Sequence, residues 1–580
     1  MKILFLTHSF NSLAQRLWVE LTRRGHEVSI EFDINDNVAV EAVALFRPDL
    51  VIAPFLKRAI PEAVWRERVC LVVHPGIPGD RGPSALDWAI MNGETEWGVT
   101  VLQANAVMDG GDIWATRGFP MRAARKSSLY RNEVTEAATA AVLEAVEKFE
   151  QGGFKPTPLD YANPAVRGSE RPLMKQEARR IDWTRDDTAT VLKKIRAADS
   201  VPGLADRLQG VDCWLFNAHP EGALRGAQPG AVIAQRQGAL CRATVDGAVW
   251  ITHARRKSDQ PTFKLPAAQA IPEAAAGVPE AALPTLPPRE ASTWQDIAYE
   301  EEGGVGFLHF DFHNGAMSAV DCLRLRDAFV EAGKRDTKVI VLMGGPDFWS
   351  NGIHLNAIES ADSPADASWA NIVAMDDLCR AILDCGSHYV VAAMQGNAGA
   401  GGVFLALTAD CVLAREGVIL NPHYKGMGNL YGSEYWTYLL PRRVGDERAQ
   451  AITQNRLPIG AREAVAQGLI DACFGADVPA FVAAVKAQAM ALAARPDLAQ
   501  LIEDKRAARA RDETAKPLEA YRTEELERMR LNFYGFDPSY HVARYHFVHR
   551  VPHAWTPLHL ARHRRRMWQK QASLKTRHAA

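Results

Sequence analysis

Short apolar runs alternate with amphipathic ones through the first part of the chain. The runs KILFLTH, EVSIEF, LVIAPF, VCLVVH and GVTVLQ read as strands. Between them, SLAQRLWVELTRR sets Leu13, Leu17 and Leu21 on one helical face, and VAVEAVALF and SALDWAIMN also suit helices. This alternation predicts a parallel sheet covered on both faces, a Rossmann-like architecture. From about Arg171 the texture changes. One helical stretch, RDDTATVLKKIRAAD, precedes glycine-punctuated pieces such as GAVIAQRQGALCRATVDGAVWITHAR, which predict a small β-rich module. Residues 265–290, LPAAQAIPEAAAGVPEAALPTLPPRE, are rich in Pro and Ala with almost no period, and predict a linker. Alternation resumes with GVGFLHFDF, the helix SAVDCLRLRDAFVEAG and the strand KVIVLMGG, and from about Val478 long charged helical patterns take over. The expected fold class is a multidomain α/β chain: an α/β domain over 1–160, a β-rich module over 161–264, the linker, a second α/β domain over 291–490 and a helical region over 491–580.

A chain of 580 residues, 47% hydrophobic and 23% charged, is ordinary globular material but too long for one core. Lys plus Arg number 67 against 69 Asp plus Glu, for a net charge of -2, which predicts no nucleic-acid partner. The final stretch, HLARHRRRMWQKQASLKTRHAA, is locally basic and reads as a solvated tail. The 8 cysteines are scattered, with Cys379 and Cys385 the closest pair, so reduced thiols and no metal site are expected. Lys2 precedes a short apolar run that polar residues interrupt at once. That fits neither a signal peptide nor a membrane span, and predicts a cytoplasmic protein without a membrane partner.

Two stretches carry chemistry. In the first, residues 72–114, His74 ends a predicted strand and Asp109 lies in a Gly-flanked loop. Strand ends of open α/β sheets collect reacting groups, and a His beside a carboxylate moves protons between nucleophile and leaving group. Alone, a His–Pro pair is also a turn and DGGD also a plain loop. Together, HPGIPGDRG, the GVT at 98–100 and the Asp109 loop resemble the formyltransferases that use formyl-tetrahydrofolate. The resemblance implies that His74 and Asp109 are catalytic and that Arg81 helps bind substrate. RPLMKQEARRIDW, IRAADSVPG and GAVIAQRQGAL resemble the C-terminal, OB-like domain of methionyl-tRNA formyltransferase. One departure stands out. Val72 occupies the place of the family's catalytic Asn, which helps hold the formyl oxygen. Transfer to an amine loses support, whereas a thiolate attacks carbonyl carbon readily at neutral pH.

The second stretch is QGNAGAGGVFLALTAD, 395–410, where a strand runs through a glycine-rich turn into an apolar helix. Amides bared at such a turn hold a phosphate or a developing oxyanion, and the glycines also suit tight helix–strand packing. No Lys-Ser/Thr follows and the spacing is not G-x-G-x-x-G, so a nucleotide cradle is disfavoured. With GGPDFWSNGIHLNAI at 344–358, the stretch resembles the crotonase (enoyl-CoA hydratase/isomerase) superfamily. The resemblance implies a thioester oxyanion hole from the amides of Ile353 and Gly401, with Gly399 and Gly402 shaping the turn, and sets Asp410 on the family's Asp. The hydratase carboxylates are replaced by Phe404 and His423, so hydration is disfavoured. His423, Tyr424 and Glu434 remain as proton-handling candidates.

A formyl-donor site and a CoA-thioester site on one chain suggest formyl-CoA as their shared compound. Its carbonyl carbon bears a hydrogen, so a base, an acid for the sulfur and a dry pocket would release carbon monoxide. With the terminal DPSYHVARYHFVHRVP, the whole chain resembles the HypX/HoxX-type hydrogenase maturation factors. That resemblance implies carbon monoxide synthesis for the NiFe-hydrogenase active site, from the small-molecule substrates formyl-tetrahydrofolate and coenzyme A, with no metal. Gln15, Arg131 and Arg550 are candidates for lining a CoA passage, and a hydrogenase large-subunit precursor or another maturation protein is a candidate partner. Two other readings stay open: a formyl-tetrahydrofolate hydrolase or amine formyltransferase with a vestigial crotonase half, and a non-enzymatic maturation scaffold.

Overall fold

A computed structural model of the chain describes residues 1–565, and most of the basic C-terminal stretch lies outside the described residues. The chain divides into two compact units. One holds Met1–Ile181, Lys193–Ala205 and the chain from Pro552 onward; the other holds Asp182–Leu192 and Asp206–Val551.

In the first unit the five expected strands form as β1 (Lys2–Thr7), β2 (Glu27–Phe32), β3 (Leu50–Ala53), β4 (Cys70–His74) and β5 (Glu96–Gln103). A sixth, β6 (Ile113–Pro120), exposes its central Thr116, Arg117 and Gly118, so it carries little hydrophobic pattern to read. The spatial order is β2-β1-β3-β4-β5-β6. Strands β1 to β4 are parallel, but β5 runs antiparallel to β4 and β6 antiparallel to β5, so the sheet is mixed rather than parallel as expected. A short connection joins β5 and β6. An antiparallel pair needs only a loop, whereas a parallel pair needs a crossover. That loop carries Asp109 back toward the end of β4, where His74 sits.

Strand β2 is a sheet edge, and the C-terminal segment covers it. The Ile30 amide donates to the Leu560 carbonyl (3.1 Å) and the Phe32 amide to Thr556 Oγ1 (2.9 Å). The fully buried Glu31 carboxylate takes His563 Nε2 at 2.8 Å and Arg564 Nε at 2.7 Å, and Ser29 Oγ lies 2.7 Å from His563 Nδ1. Such cover removes an otherwise open pairing edge.

In the second unit, strands Val211–Glu221, Ala248–Arg256, Ala239–Ala243 and Val232–Arg236 neighbour one another, all antiparallel, as the β-rich module. The Pro/Ala-rich stretch is not a free linker at its start. Leu265 pairs with Ala254, two short helices follow (Ala267–Ala270 and Pro272–Ala275), and Ala267, Ile271 and Ala274 are buried. Buried apolar residues at helical spacing anchor it, a signal that the surrounding prolines obscure.

A six-stranded sheet follows, in the order Ile297–Glu302, Val305–Phe310, Val339–Gly344, Tyr389–Met394, Cys411–Arg415, Ala472–Phe474. Only its first pair is antiparallel. A smaller sheet sets Phe348–Ser350, Asn397–Gly399 and Ile419–Asn421 side by side and parallel. Parallel neighbours present their C-terminal ends on one edge, so the loops leaving these three strands meet. The helical region is no appendix beyond residue 490. Leu518, Met529, Phe533 and Tyr540 belong to the same buried core as Phe404 and Tyr424. Among the described residues no single helix is long and apolar enough to cross a membrane.

Candidate active sites

In the first unit, His74 is nearly fully buried between two carboxylates. Its Nε2 lies 2.9 Å from Asp80 Oδ2 and its Nδ1 lies 3.7 Å from Asp109 Oδ2. Space for the pair depends on Gly76, where a Cβ would collide with both His74 Nε2 and Asp80 Oδ2. Asp109 has a left-handed backbone (φ 53°) and accepts the Gly82 amide at 3.3 Å. Strain of this kind persists where surrounding contacts hold it, commonly at functional sites. Arg81 turns its guanidinium to the Met108 carbonyl (Nε, 3.0 Å) and Glu170 (3.3 Å), so it braces the Asp109 loop. Asp80 was not legible as a site residue; its signal is that it is the one carboxylate in the HPGIPGDRG loop. One Asp80 oxygen, Oδ1, is buried without a hydrogen-bond partner, 4.0 Å from Arg171.

Gln15 and Arg131 are half-buried in the same unit. The Gln15 amide donates to the Phe10 carbonyl (2.9 Å), one turn into a helix capped by Asn11. Arg131 sits in a π-helical turn, Tyr130–Val134. The Tyr130 hydroxyl bonds with Asn11, which joins the two elements, and burial pushes that phenol up to about 12. Arg550 belongs to the second unit, where it is exposed with a left-handed backbone (φ 53°).

In the second unit, the three adjacent strand ends deliver Ile353, Gly401 and Tyr424 to one edge. Gly352 (φ 78°) brings its Cα face within 3.5 Å of the Gly401 amide nitrogen, measured from where a Cβ would stand. Gly401 opens the helix Gly401–Leu407, where amides have no carbonyl one turn back to bond. Ala400 before it adopts φ 48°, and Gly402 lies against the Ser350 carbonyl with no room for a Cβ. Gly399 faces Asn351. Asp410 is committed to structure: it accepts the Val390 amide (2.7 Å) and pairs with Lys505 (2.6 Å).

Glu434 is the group brought to Gly401. A Cβ on Gly401 would overlap the Glu434 carboxylate, with Oε1 nearest. The other oxygen, Oε2, accepts the Tyr424 hydroxyl at 2.5 Å and the Ser433 amide at 3.1 Å. Oε1 is therefore the atom turned toward Gly401. Phe404 is fully buried and stacks on the Tyr424 ring, centroids 5.5 Å apart and 17° from parallel. It fills the place of a hydratase carboxylate with an apolar wall. Burial, then the nearby Asp376 charge, push the Glu434 carboxyl up to about 8, and burial with the Glu434 charge pushes the Tyr424 phenol well up. His423 is half-buried one residue away, and the hydroxyl that reaches Glu434 is Tyr424's. Glu434 and Tyr435 both have positive φ (62° and 57°), a conformation costing about 1–3 kcal/mol per residue. Among the described residues no group of three or more His, Cys, Asp or Glu is arranged to hold a metal ion, and all eight cysteines are free thiols.

A buried His flanked by carboxylates on a mixed α/β sheet, and a glycine-built amide turn on a two-sheet fold, define a formyltransferase joined to an enoyl-CoA hydratase-like domain. The formyl transferase family matches residues 8–146, the formyl transferase C-terminal domain 173–262, and the enoyl-CoA hydratase/isomerase family 308–529. A hydrogenase maturation factor HoxX of Bradyrhizobium diazoefficiens is 56% identical over 97% of both chains. The crystal structure of HypX from Aquifex aeolicus in complex with tetrahydrofolic acid superposes with a TM-score of 0.94 at 53% identity, covering 97% of this chain and 99% of that one. A methionyl-tRNA formyltransferase of Desulfotalea psychrophila is 31% identical over 35% of this chain and 62% of its own. The chain belongs to the HypX/HoxX family of hydrogenase maturation factors.

Proposed function

We propose that this maturation factor makes carbon monoxide for the NiFe-hydrogenase active site. The first site moves a formyl group from formyl-tetrahydrofolate to the thiol of coenzyme A. The second eliminates carbon monoxide from the resulting formyl-CoA. The observation that carries the reading is the buried Tyr424–Glu434 pair set against Gly401. Formyl-CoA breakdown needs a base for the formyl hydrogen and an acid for the leaving sulfur, and this pair supplies both. Glu434 Oε1 takes the formyl hydrogen as a proton while the C–S bond breaks and the electron pair stays on sulfur. The Tyr424 hydroxyl protonates that sulfur, and the proton on Glu434 returns to the Tyr424 oxygen across their hydrogen bond. The sum is formyl-CoA giving carbon monoxide and CoA, with no proton taken from solvent. The amides of Ile353 and Gly401 hold the thioester oxygen, and Phe404 excludes the water that would give formate.

At the first site, His74 is assigned to take the thiol proton of CoA, held by Asp80 and Asp109. With Val72 where the related transferases have an Asn amide, a thiolate is the acceptor that needs least help. The tetrahydrofolate in the Aquifex relative supports folate as the donor here. Gln15, Arg81 and Arg131, and in the other unit Arg550, are proposed as polar contacts for the two substrates, and a hydrogenase precursor or another maturation protein as the recipient of the product.

The test supplies purified full-length protein with formyl-tetrahydrofolate and CoA and reads carbon monoxide by the spectral shift of reduced haemoglobin. Carbon monoxide in amounts equal to the folate consumed is expected. Formate alone would mark a hydrolase, and no turnover would mark a scaffold. Gly401→Ala is expected to lower release from supplied formyl-CoA by about 10²–10³-fold, because its methyl displaces the Glu434 carboxylate and with it the amide donor geometry. Stopped-flow haemoglobin absorbance checks this.

A further inference from the structure

The turn that carries Glu434 is gripped from two sides by carboxylates that the proposed reaction does not use. Asp376, on the helix Pro364–Leu383, is fully buried. Its Oδ1 accepts the Glu434 amide at 2.8 Å, and its two oxygens accept the Ser433 hydroxyl at 2.9 and 2.8 Å. Glu525, on the helix Leu518–Tyr534, is fully buried as well. It accepts the Tyr435 amide at 2.9 Å, and the Thr437 amide and hydroxyl at 2.8 and 2.5 Å. Each of the two left-handed residues thus has its own N–H held by its own buried carboxylate. A pair of adjacent non-glycine residues in that conformation persists only where surrounding contacts over-determine it. Burying two acids to fix a bend is expensive, and a bend needed only for packing would be met by glycine at no such expense.

Resting on the reading of Glu434 as the base, we propose that Asp376 and Glu525 are positioning residues of the second site. They fix the Ser433–Tyr435 bend so that Glu434 Oε1 stands against Gly401, and the charge of Asp376 holds that oxygen ready to accept a proton. Both carboxylates receive N–H and O–H donors, which favours the ionised form, but burial outweighs this and pushes the Asp376 carboxyl up to about 7 and the Glu525 carboxyl well up. Arg522, 3.8 Å from Asp376 and paired with Asp377 at 2.6 Å, is the nearby cation. The other titratable groups around Glu434 are Tyr424 on its loop, Cys379 on the Asp376 helix and Cys322 on the helix Ala319–Ala332. Burial pushes all three well up, so they stay neutral through the range where Glu434 titrates. The anionic charge that bears on Glu434 therefore comes from Asp376, and it makes Glu434 a stronger base.

Asp376→Asn and Glu525→Gln keep shape and an acceptor oxygen while removing charge. Carbon monoxide release from supplied formyl-CoA is followed on the full chain between about pH 6 and 9, less the rate without protein. In Asp376→Asn the rising limb of the profile is expected to move to lower pH by about one unit, as Glu434 becomes a weaker base. In Glu525→Gln, which keeps the acceptor oxygen of a carboxyl that burial pushes well up, the limb is expected to stay in place. A residue that only supports the fold would lower the rate at every pH without moving the limb. An Asp376→Asn limb that stays within about 0.3 unit of the parent, or a Glu525→Gln limb that moves as far as that of Asp376→Asn, overturns the assignment. If Asp376→Asn does not fold while Glu434→Gln does, the carboxylate serves the fold alone and the proposal falls. Full release by Glu434→Gln would instead remove the base reading itself, whatever the other variants do.

Discussion

Glu434→Gln is expected to slow carbon monoxide release from supplied formyl-CoA by about 10²–10⁴-fold, the usual contribution of a positioned general base. The amide keeps the size of the side chain and an oxygen for the Tyr424 hydroxyl, so thermal stability should change little while the proton acceptor is lost. Formyl-CoA formation at the first site should continue, so the variant given both substrates would accumulate formyl-CoA, read by chromatography of the thioester. The parent protein carries its own pH signature. Glu434 must be deprotonated to act, and its carboxyl is pushed up to about 8 by burial and Asp376. Release should therefore be weak near pH 6, rise through pH 8 and level off above it. A profile that falls over this range would remove Glu434 as the base.

His74→Ala should have the mirror effect. Formyl transfer to CoA is expected to fall by about 10²–10⁴-fold, with release from supplied formyl-CoA unchanged, because the two sites use separate proton-handling groups. His74 is held at 2.9 Å by Asp80 and faces Asp109 at 3.7 Å, so the imidazole is oriented from both nitrogens. Loss of the ring leaves the buried Asp80 carboxylate without its imidazole, and some loss of stability should accompany the loss of transfer. A melting curve beside the folate assay separates the two effects. Transfer at the parental rate by a folded His74→Ala protein would assign the proton to another group.

Both sites were legible in sequence where chemistry is written into a contiguous stretch. The glycine turn before Phe404 and the HPGIPGDRG loop are backbone devices, and backbone devices leave glycines at fixed spacing. What escaped was burial. Asp376 lies in AMDDLCR and Glu525 in RTEELERMR, runs that look like the solvated face of a helix, and only the packing of those helices over residues 433–437 turns the carboxylates inward. Asp80 escaped for a related reason: beside Arg81 in a loop, it looks like an exposed ion pair. Strand β6 was missed because three consecutive exposed positions erase its alternation, and with it the antiparallel end of the first sheet. The Pro/Ala stretch shows its composition first, while buried apolar residues at helical spacing decide its packing.

The C-terminal cover on β2 bears on how the protein comes off the ribosome. Domains tend to fold in order as they are made, at about 5–20 residues per second. Here the strand that needs covering is completed at Phe32, and the residues that cover it, Thr556 to Arg564, begin 524 residues further along the chain. The nascent N-terminal sheet must wait through the making of that stretch with one edge open and Glu31 without His563. For that interval its fate rests with whatever shields unpaired strands in the cell. A gene cut between the two catalytic halves would make that wait permanent.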